Sequence, residues 1–274
     1  MSQPEVEPCA ALRVRVATDQ VDLASDRLWW LGANAIGEEA LDDSVLLTAG
    51  FDTLSSAHSA AAQIAELGPE VEAIADSWWM DAWRQYAVPV EVGQRLLLLP
   101  SWLDRPETDR IVVELDAGRA FGSGSHPSTC LALAALEDLL EGGEVVADIG
   151  CGSGVLSVGA VLLGAARAVA VDIEPVAQVV TAANAVRNGV GDRVVVAGAT
   201  VADISDLADI VVANIGAATL MAIASQLEAL GSVIVLSGLL ADQAREVADA
   251  FTGYTAEVSA PMDGWVSVVL NRVR

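Results

Sequence analysis

A chain of 274 residues, 53% hydrophobic but only 4% aromatic, is long enough for one or two globular domains with cores built mainly from Ala, Val and Leu. Its net charge is −24 and none of its 14 Lys+Arg positions is a Lys; either this acidity serves solubility, or it disfavours a nucleic-acid backbone and suits a basic or cationic partner. No apolar run reaches the roughly 18–20 residues of a membrane span, since the longest, Val155 to Ala166, ends at Arg167.

The first residues include Glu5 and Glu7 and lack the basic and apolar regions of a secretory signal. Cys9, Cys130 and Cys151 are scattered and odd in number, with neither disulfide nor metal spacing. No metal and a reducing cytoplasm are therefore expected.

In chain order, residues 1–75 read as a small α+β unit. Leu12 to Val16 alternates like a strand, Val21 to Leu31 carries apolar residues at helical spacing, and Ser44 to Phe51 is a second strand. Ala57 to Leu67 is an Ala-rich helix closed by Gly68-Pro69, and Val71 to Ile74 reads as a further strand. A strand–helix–strand–strand–helix–strand order gives a ferredoxin-like sandwich. Residues 76–115 form a connector bearing Trp78, Trp79, Trp83 and Trp102, with strands at Arg95 to Leu99 and Ile111 to Leu115. Its tryptophans argue for an ordered segment packed between domains rather than a ligand cage.

Residues 116–274 alternate between the two element types. Helices are expected at 128–140, 155–164, 175–187, 217–229 and 240–251. Strands are expected at 145–149, 168–172, 193–197, 209–213 and 233–237, with two more near 254–259 and 265–271. Such alternation builds an α/β fold with a mostly parallel sheet covered on both faces.

The centre of this region is Val145 to Val155, where an apolar strand reaches Asp148 and then passes Gly150, Gly152 and Gly154 before a helix. The spacing departs from the dinucleotide fingerprint, because the last glycine comes one residue early, and a pyrophosphate is less well served. Asp172 ends the next strand, where a carboxylate can accept both hydroxyls of an adenosine ribose. Asp148 can hold the loop through backbone N–H groups or face a cation. A glycine loop flanked by acids suits S-adenosylmethionine, which carries an ammonium and a sulfonium, better than it suits NAD. Asn214 follows the strand at 209–213, either orienting an amine through its carbonyl or capping the next helix.

The stretch Gly118 to Thr129 is dense in glycine and hydroxyls. Thr129 can donate its hydroxyl to the ligand and Ser125 or Ser128 can cap the helix that follows. His126 precedes Pro127 and reads as a turn residue rather than a base, and His58 as solvent-facing.

Four motifs, in order and spacing, resemble the ribosomal protein L11 methyltransferase family: Ala120 to Thr129, Asp148 to Gly154, Val171 to Pro175 and Val211 to Ile215. Trp78 to Trp83, Pro100 to Trp102 and Leu236 to Leu240 add to the likeness, which runs from about residue 78 to the end. The resemblance implies a class I methyltransferase, Rossmann-like domain preceded by a ferredoxin-like substrate-recognition domain. It implies a donor site at Thr129, Gly150, Asp172 and Asn214, joined by Asp148, Gly152 and Gly154 from the reading above, with Asn214 also positioning the amine. The expected activity is N-methylation of amino groups by S-adenosylmethionine, most directly on ribosomal protein L11, by a cytoplasmic monomer that binds neither nucleic acid nor membrane. Two departures stand out: Gly122-Ser-Gly-Ser125 replaces the family's usual Gly-Thr-Gly-Thr, and Ile215-Gly-Ala217 replaces Ile-Leu-Ala. The competing readings are a methyltransferase for another protein lysine or a small amine, a nucleotide- or NAD-binding module, and a catalytically silent donor-binding protein.

Overall fold

The computed structural model describes residues 9–33, 35–41, 44–51, 53–74, 88–116 and 126–273. The chain divides into two compact units, Met1–Ala87 and Val88–Arg274.

In the smaller unit the elements run β1 (Ala10–Val16), α1 (Val21–Trp30), β2 (Ala35–Leu41), β3 (Ser44–Phe51), α2 (Leu54–Gln63) and β4 (Glu70–Ala73). The sheet order is β2-β3-β1-β4 with antiparallel neighbours, which is the ferredoxin-like arrangement. Leu12, Val14, Leu47 and Phe51 project from one face of the sheet onto Leu28 of α1 and Ile64 beyond α2. The strand β2 has no counterpart in the sequence reading. Gly37, Glu38 and Glu39 break its apolar alternation, which an edge strand paired only through β3 tolerates. Helix α2 begins earlier than its Ala-rich core because Thr53 caps it, accepting the Ser56 N–H at 3.0 Å while the Ser56 hydroxyl reaches back.

The larger unit opens with β5 (Val90–Val92), β6 (Leu96–Pro100) and β7 (Ile111–Leu115), a three-stranded sheet in that order. Leu96, Leu98 and Val113 are buried in the same core as the helices that follow. Trp78, Trp79 and Trp83 lie outside the described residues, and Trp102 is half-buried in the turn after β6. Then come α3 (Pro127–Leu139), β8 (Val145–Ile149), α4 (Val155–Leu163), β9 (Arg167–Val171), α5 (Pro175–Arg187) and β10 (Val194–Gly198). They are followed by β11 (Ala208–Asn214), α6 (Ala217–Leu230), β12 (Gly231–Leu240), α7 (Ala244–Asp249), β13 (Tyr254–Val258) and β14 (Trp265–Arg272).

The seven-stranded sheet has the order β10-β9-β8-β11-β12-β14-β13. The first five are parallel, and β14 runs antiparallel to both β12 and β13. Alternate residues of β8 serve opposite cores. Val146 packs with α3 and α4, and Ala147 and Ile149 with α6 and α7. A strand buried on both faces reads as a continuous apolar run. The chain leaves β8 for β9 on one side and β11 on the other, so a crevice opens at the carboxyl ends of β8 and β11.

Candidate functional site

The glycine loop starts at the end of β8. Gly150 N–H and Cys151 N–H donate to the Val171 carbonyl at 2.9 and 3.1 Å, which folds the loop back over the end of β9. Gly150, Gly152 and Gly154 have φ of 75°, 54° and 79°, in the left-handed region that side chains resist. A Cβ on Gly150 would lie 2.6 Å from Ile215 Cγ2, so this glycine also lets the loop meet the segment after β11.

Asp172 receives the loop. Its Oδ2 accepts the Gly152 N–H at 2.8 Å and its Oδ1 accepts the Glu174 N–H at 2.9 Å. Both oxygens are held in place, and each retains lone-pair capacity for a ligand hydroxyl at this half-exposed position.

Asp148 is 0% exposed. Its Oδ2 accepts from the Ser157 N–H at 3.0 Å and the Ser157 hydroxyl at 2.6 Å, in the first turn of α4. The carboxylate therefore holds the helix start rather than bonding the glycine-loop amides, and Ser157, a lone polar residue in an apolar run, is its partner. Among the described residues Oδ1 has no hydrogen-bond partner. Burial pushes the carboxyl up to about 6, opposed by the Ser157 bonds and reinforced by the charge of Asp172. An orphaned, buried, acidic oxygen beside a glycine loop is the environment a cationic ligand group would relieve. Burial also raises the neighbouring Cys151 thiol to about 12, so it is a packing thiol rather than a nucleophile.

On the other side of the crevice, Ala213 pairs with Ile149, which sets Asn214 at the mouth beside Gly150. Asn214 Nδ2 donates to Thr129 Oγ1 at 3.2 Å. This bond leaves the Asn214 Oδ1 as an acceptor and the Thr129 hydroxyl proton to be donated. Asn214 does not cap α6, whose N-cap is Gly216. A Cβ on Gly216 would meet nothing within 4 Å among the described residues, so the start of the family's usual leucine has open space here.

The helix α3 is capped by His126, not by Ser128: His126 Nδ1 accepts the Ser128 N–H at 3.2 Å. Proline at the first helical position holds the residue before it out of the helical region, in this extended, capping conformation. The His126 ring sits 4.7 Å from that of Trp265, edge-on, and burial lowers its pKa. With Nδ1 engaged by the backbone, the imidazole is committed to structure. Ser125 and the rest of 117–125 lie outside the described residues. His58 is exposed, as expected.

Two residues beyond the expected set complete the site. The Ser237 hydroxyl donates to the Ser128 carbonyl at 2.7 Å, tying α3 to β12. Gly238, at a register shift in β12, has φ of 79°, and a Cβ there would lie 2.8 Å from the Ile215 carbonyl and 3.1 Å from Asn214 Oδ1. The signal for both was the Leu236 to Leu240 segment, whose likeness to the family carried no role.

A seven-stranded sheet in this order, with one antiparallel strand and a glycine loop after β8, beside the central β11, defines a class I methyltransferase. The donor of this class is S-adenosylmethionine, and the acidic, partner-lacking oxygen of Asp148 behind the glycine loop suits its cationic end. The model of the ribosomal protein L11 methyltransferase (PrmA) family matches residues 10–273, and the chain belongs to that family. A ribosomal protein L11 methyltransferase of Azotobacter vinelandii is 38% identical over 289 residues, covering 95% of this chain and 98% of that protein. A relative of the same name in Pelotomaculum thermopropionicum is 46% identical over 176 residues, a match spanning 62% of this chain and 57% of that protein. The crystal structure of a ribosomal protein L11 methylase from Lactobacillus delbrueckii subsp. bulgaricus superposes with a TM-score of 0.64 at 27% identity, covering 69% of this chain and all of that one. Among the described residues no helix is long and apolar enough to cross a membrane.

Proposed function

We propose that this protein methylates amino groups of ribosomal protein L11, and that Thr129, Asp148, Gly150, Gly152, Gly154, Asp172 and Asn214 form its donor site. The observation that carries the reading is the Asn214–Thr129 hydrogen bond at the carboxyl end of β11, directly across from the glycine loop.

S-adenosylmethionine supplies the methyl group. The chain's own residues bind and orient. Asp172 takes the ribose hydroxyls, and the glycine loop gives close backbone approach. Asp148 supplies negative charge behind the loop. Thr129 fixes the Asn214 carboxamide so that its Oδ1 accepts a hydrogen bond from the incoming amine and aligns its lone pair. A lysine ammonium, with a reference pKa of about 10.4, must first shed its proton, and the low-dielectric crevice favours the neutral form. Catalysis is then mainly positioning and desolvation, with no dedicated base.

The first unit, Met1–Ala87, serves as the substrate-recognition domain, extending the 1–75 domain expected from sequence. The net charge of −24 draws in a basic substrate, and the absence of Lys removes side-chain amines that would compete with it. The family match over nearly the whole chain supports L11 above another amine. The setting is the cytoplasm, and the enzyme acts as a monomer. The test is transfer of labelled methyl groups to L11 and to L11 whose amino groups have been chemically blocked. Label on the blocked protein, or none on either, defeats the proposal.

A further inference from the structure

One face of α5 is spent on the backbones around it rather than on apolar packing. Thr181, Asn184 and Asn188 recur at helical spacing on that face, and the first two are 0% and 1% exposed. The Thr181 hydroxyl lies 3.1 Å from the Gly152 carbonyl and 3.2 Å from Cys151 Sγ, both in the glycine loop. It packs so closely that a Cβ on Gly154 would sit 2.8 Å from Thr181 Cγ2.

The Asn184 carboxamide bridges two chain segments. Its Nδ2 donates to the Ser153 carbonyl at 2.9 Å and to the Asp116 carbonyl at 3.0 Å, and its Oδ1 accepts the Asp116 N–H at 3.0 Å. Both amide hydrogens are used, so the side chain is locked in a single orientation. Asn188 grips the same strand without reaching the loop. Its Oδ1 accepts the Glu114 N–H at 2.9 Å and its Nδ2 donates to the Glu114 carbonyl at 2.7 Å.

The N–H groups of Gly150, Cys151 and Gly152 tie the glycine loop to β9 and Asp172, and Gly154 N–H closes it on the Cys151 carbonyl at 2.7 Å, but its outward carbonyls need partners of their own. Its three glycines have the widest conformational freedom of any residue, and a donor site must be fixed to well under an ångström. The carbonyls of Gly152 and Ser153 are tied to Thr181 and Asn184. We infer that Thr181 and Asn184 are positioning residues for the methyl donor, fixing the glycine loop against α5 and, through Asp116, against the end of β7. Asn188, by contrast, contributes to stability alone. The inference rests on the assignment of that loop as the S-adenosylmethionine site.

The contrast supplies the test. Thr181→Val keeps the side-chain shape and removes the hydroxyl. Asn184→Asp keeps the shape but puts an acceptor against two carbonyls. Asn188→Ala removes three side-chain bonds to backbone, two to Glu114 and one to the Asn184 carbonyl. Each variant of the full chain is titrated calorimetrically with S-adenosylhomocysteine, its melting temperature is recorded, and steady-state rates are measured against S-adenosylmethionine.

Thr181→Val and Asn184→Asp should weaken S-adenosylhomocysteine about tenfold and raise the donor KM in step, with kcat at saturating donor within about threefold of the parent. Asn188→Ala should lower the melting temperature and leave the donor Kd within about twofold. If Asn184→Asp does not fold, Thr181→Val alone decides between the outcomes. Unchanged donor affinity in Thr181→Val and in any folded Asn184→Asp protein overturns the inference. So does equal weakening in Asn188→Ala, which would make the effect one of general stability. Failure of the parent protein to bind S-adenosylhomocysteine would instead defeat the donor-site assignment.

Discussion

Replacing Asp148 by Asn should stabilise the donor-free protein while weakening its grip on the donor. The carboxylate is fully buried, one oxygen is satisfied twice by Ser157, and the other has no partner among the described residues. Burial raises the carboxyl from 3.8 to about 6. At about 1.4 kcal/mol per pH unit, keeping it ionised in the folded protein costs about 3 kcal/mol. The folded state holds this proton more tightly than the unfolded chain does. Stability from this group is therefore greatest below about pH 4, declines between about pH 4 and 6, and is flat above. Asn keeps an oxygen for the Ser157 donors and carries no charge. At pH 8 Asp148→Asn should gain about 1–3 kcal/mol, or about 2–12 °C in melting temperature for a unit of this size, and the gain should vanish by about pH 4. With S-adenosylmethionine present the order should reverse, because the variant offers the donor's cationic end no charge and should bind it about tenfold more weakly. Thermal unfolding with and without donor from pH 4 to 8 measures both effects. A variant no more stable than the parent at pH 8, or one that binds donor equally well, would refute an uncompensated charge at this position.

Further predictions concern the rest of the site. Asp172→Ala should weaken donor binding by about 1–3 kcal/mol through loss of charge-assisted hydrogen bonds, read by calorimetry. Asn214→Ala should lower kcat about 100-fold, more than it lowers donor affinity, if it removes the group proposed to align the amine. Gly238→Ala should cost about 1–3 kcal/mol of stability from its φ of 79° and its contact with the Ile215 carbonyl. It should also reduce kcat by displacing Asn214 Oδ1. Removing residues 1–87 should leave donor affinity within about threefold and abolish methylation of L11, as followed by calorimetry and label transfer.

The sequence reveals most where local chemistry dictates structure. The run from Val145 to Val155 shows its strand, turn and helix because both sheet faces demand apolar residues and the turn demands glycine. Asn214 was legible as a position at a strand end, but its orientation depends on Thr129, 85 positions away, and no spacing rule reports that. From sequence the cap of α3 falls on a serine because hydroxyls are the usual caps, whereas an imidazole nitrogen accepts the same N–H here. The edge strand β2 escaped notice because its identity comes from backbone pairing with β3 rather than from its own side chains. Ser157, Ser237, Thr181 and Asn184 each act on a distant backbone or carboxylate. Such a role leaves only a polar residue among apolar ones as its trace.

Transfer of methyl groups to amines of L11 leaves a mass signature. Intact-mass spectrometry of L11 after incubation with the enzyme and S-adenosylmethionine tests it most directly. Successive additions of about 14 daltons are expected, localised to lysine side chains or the N-terminal amine and falling sharply with Asn214→Ala. Unchanged L11 mass alongside tight donor binding would contradict such transfer and leave a protein that holds the donor without using it on this substrate.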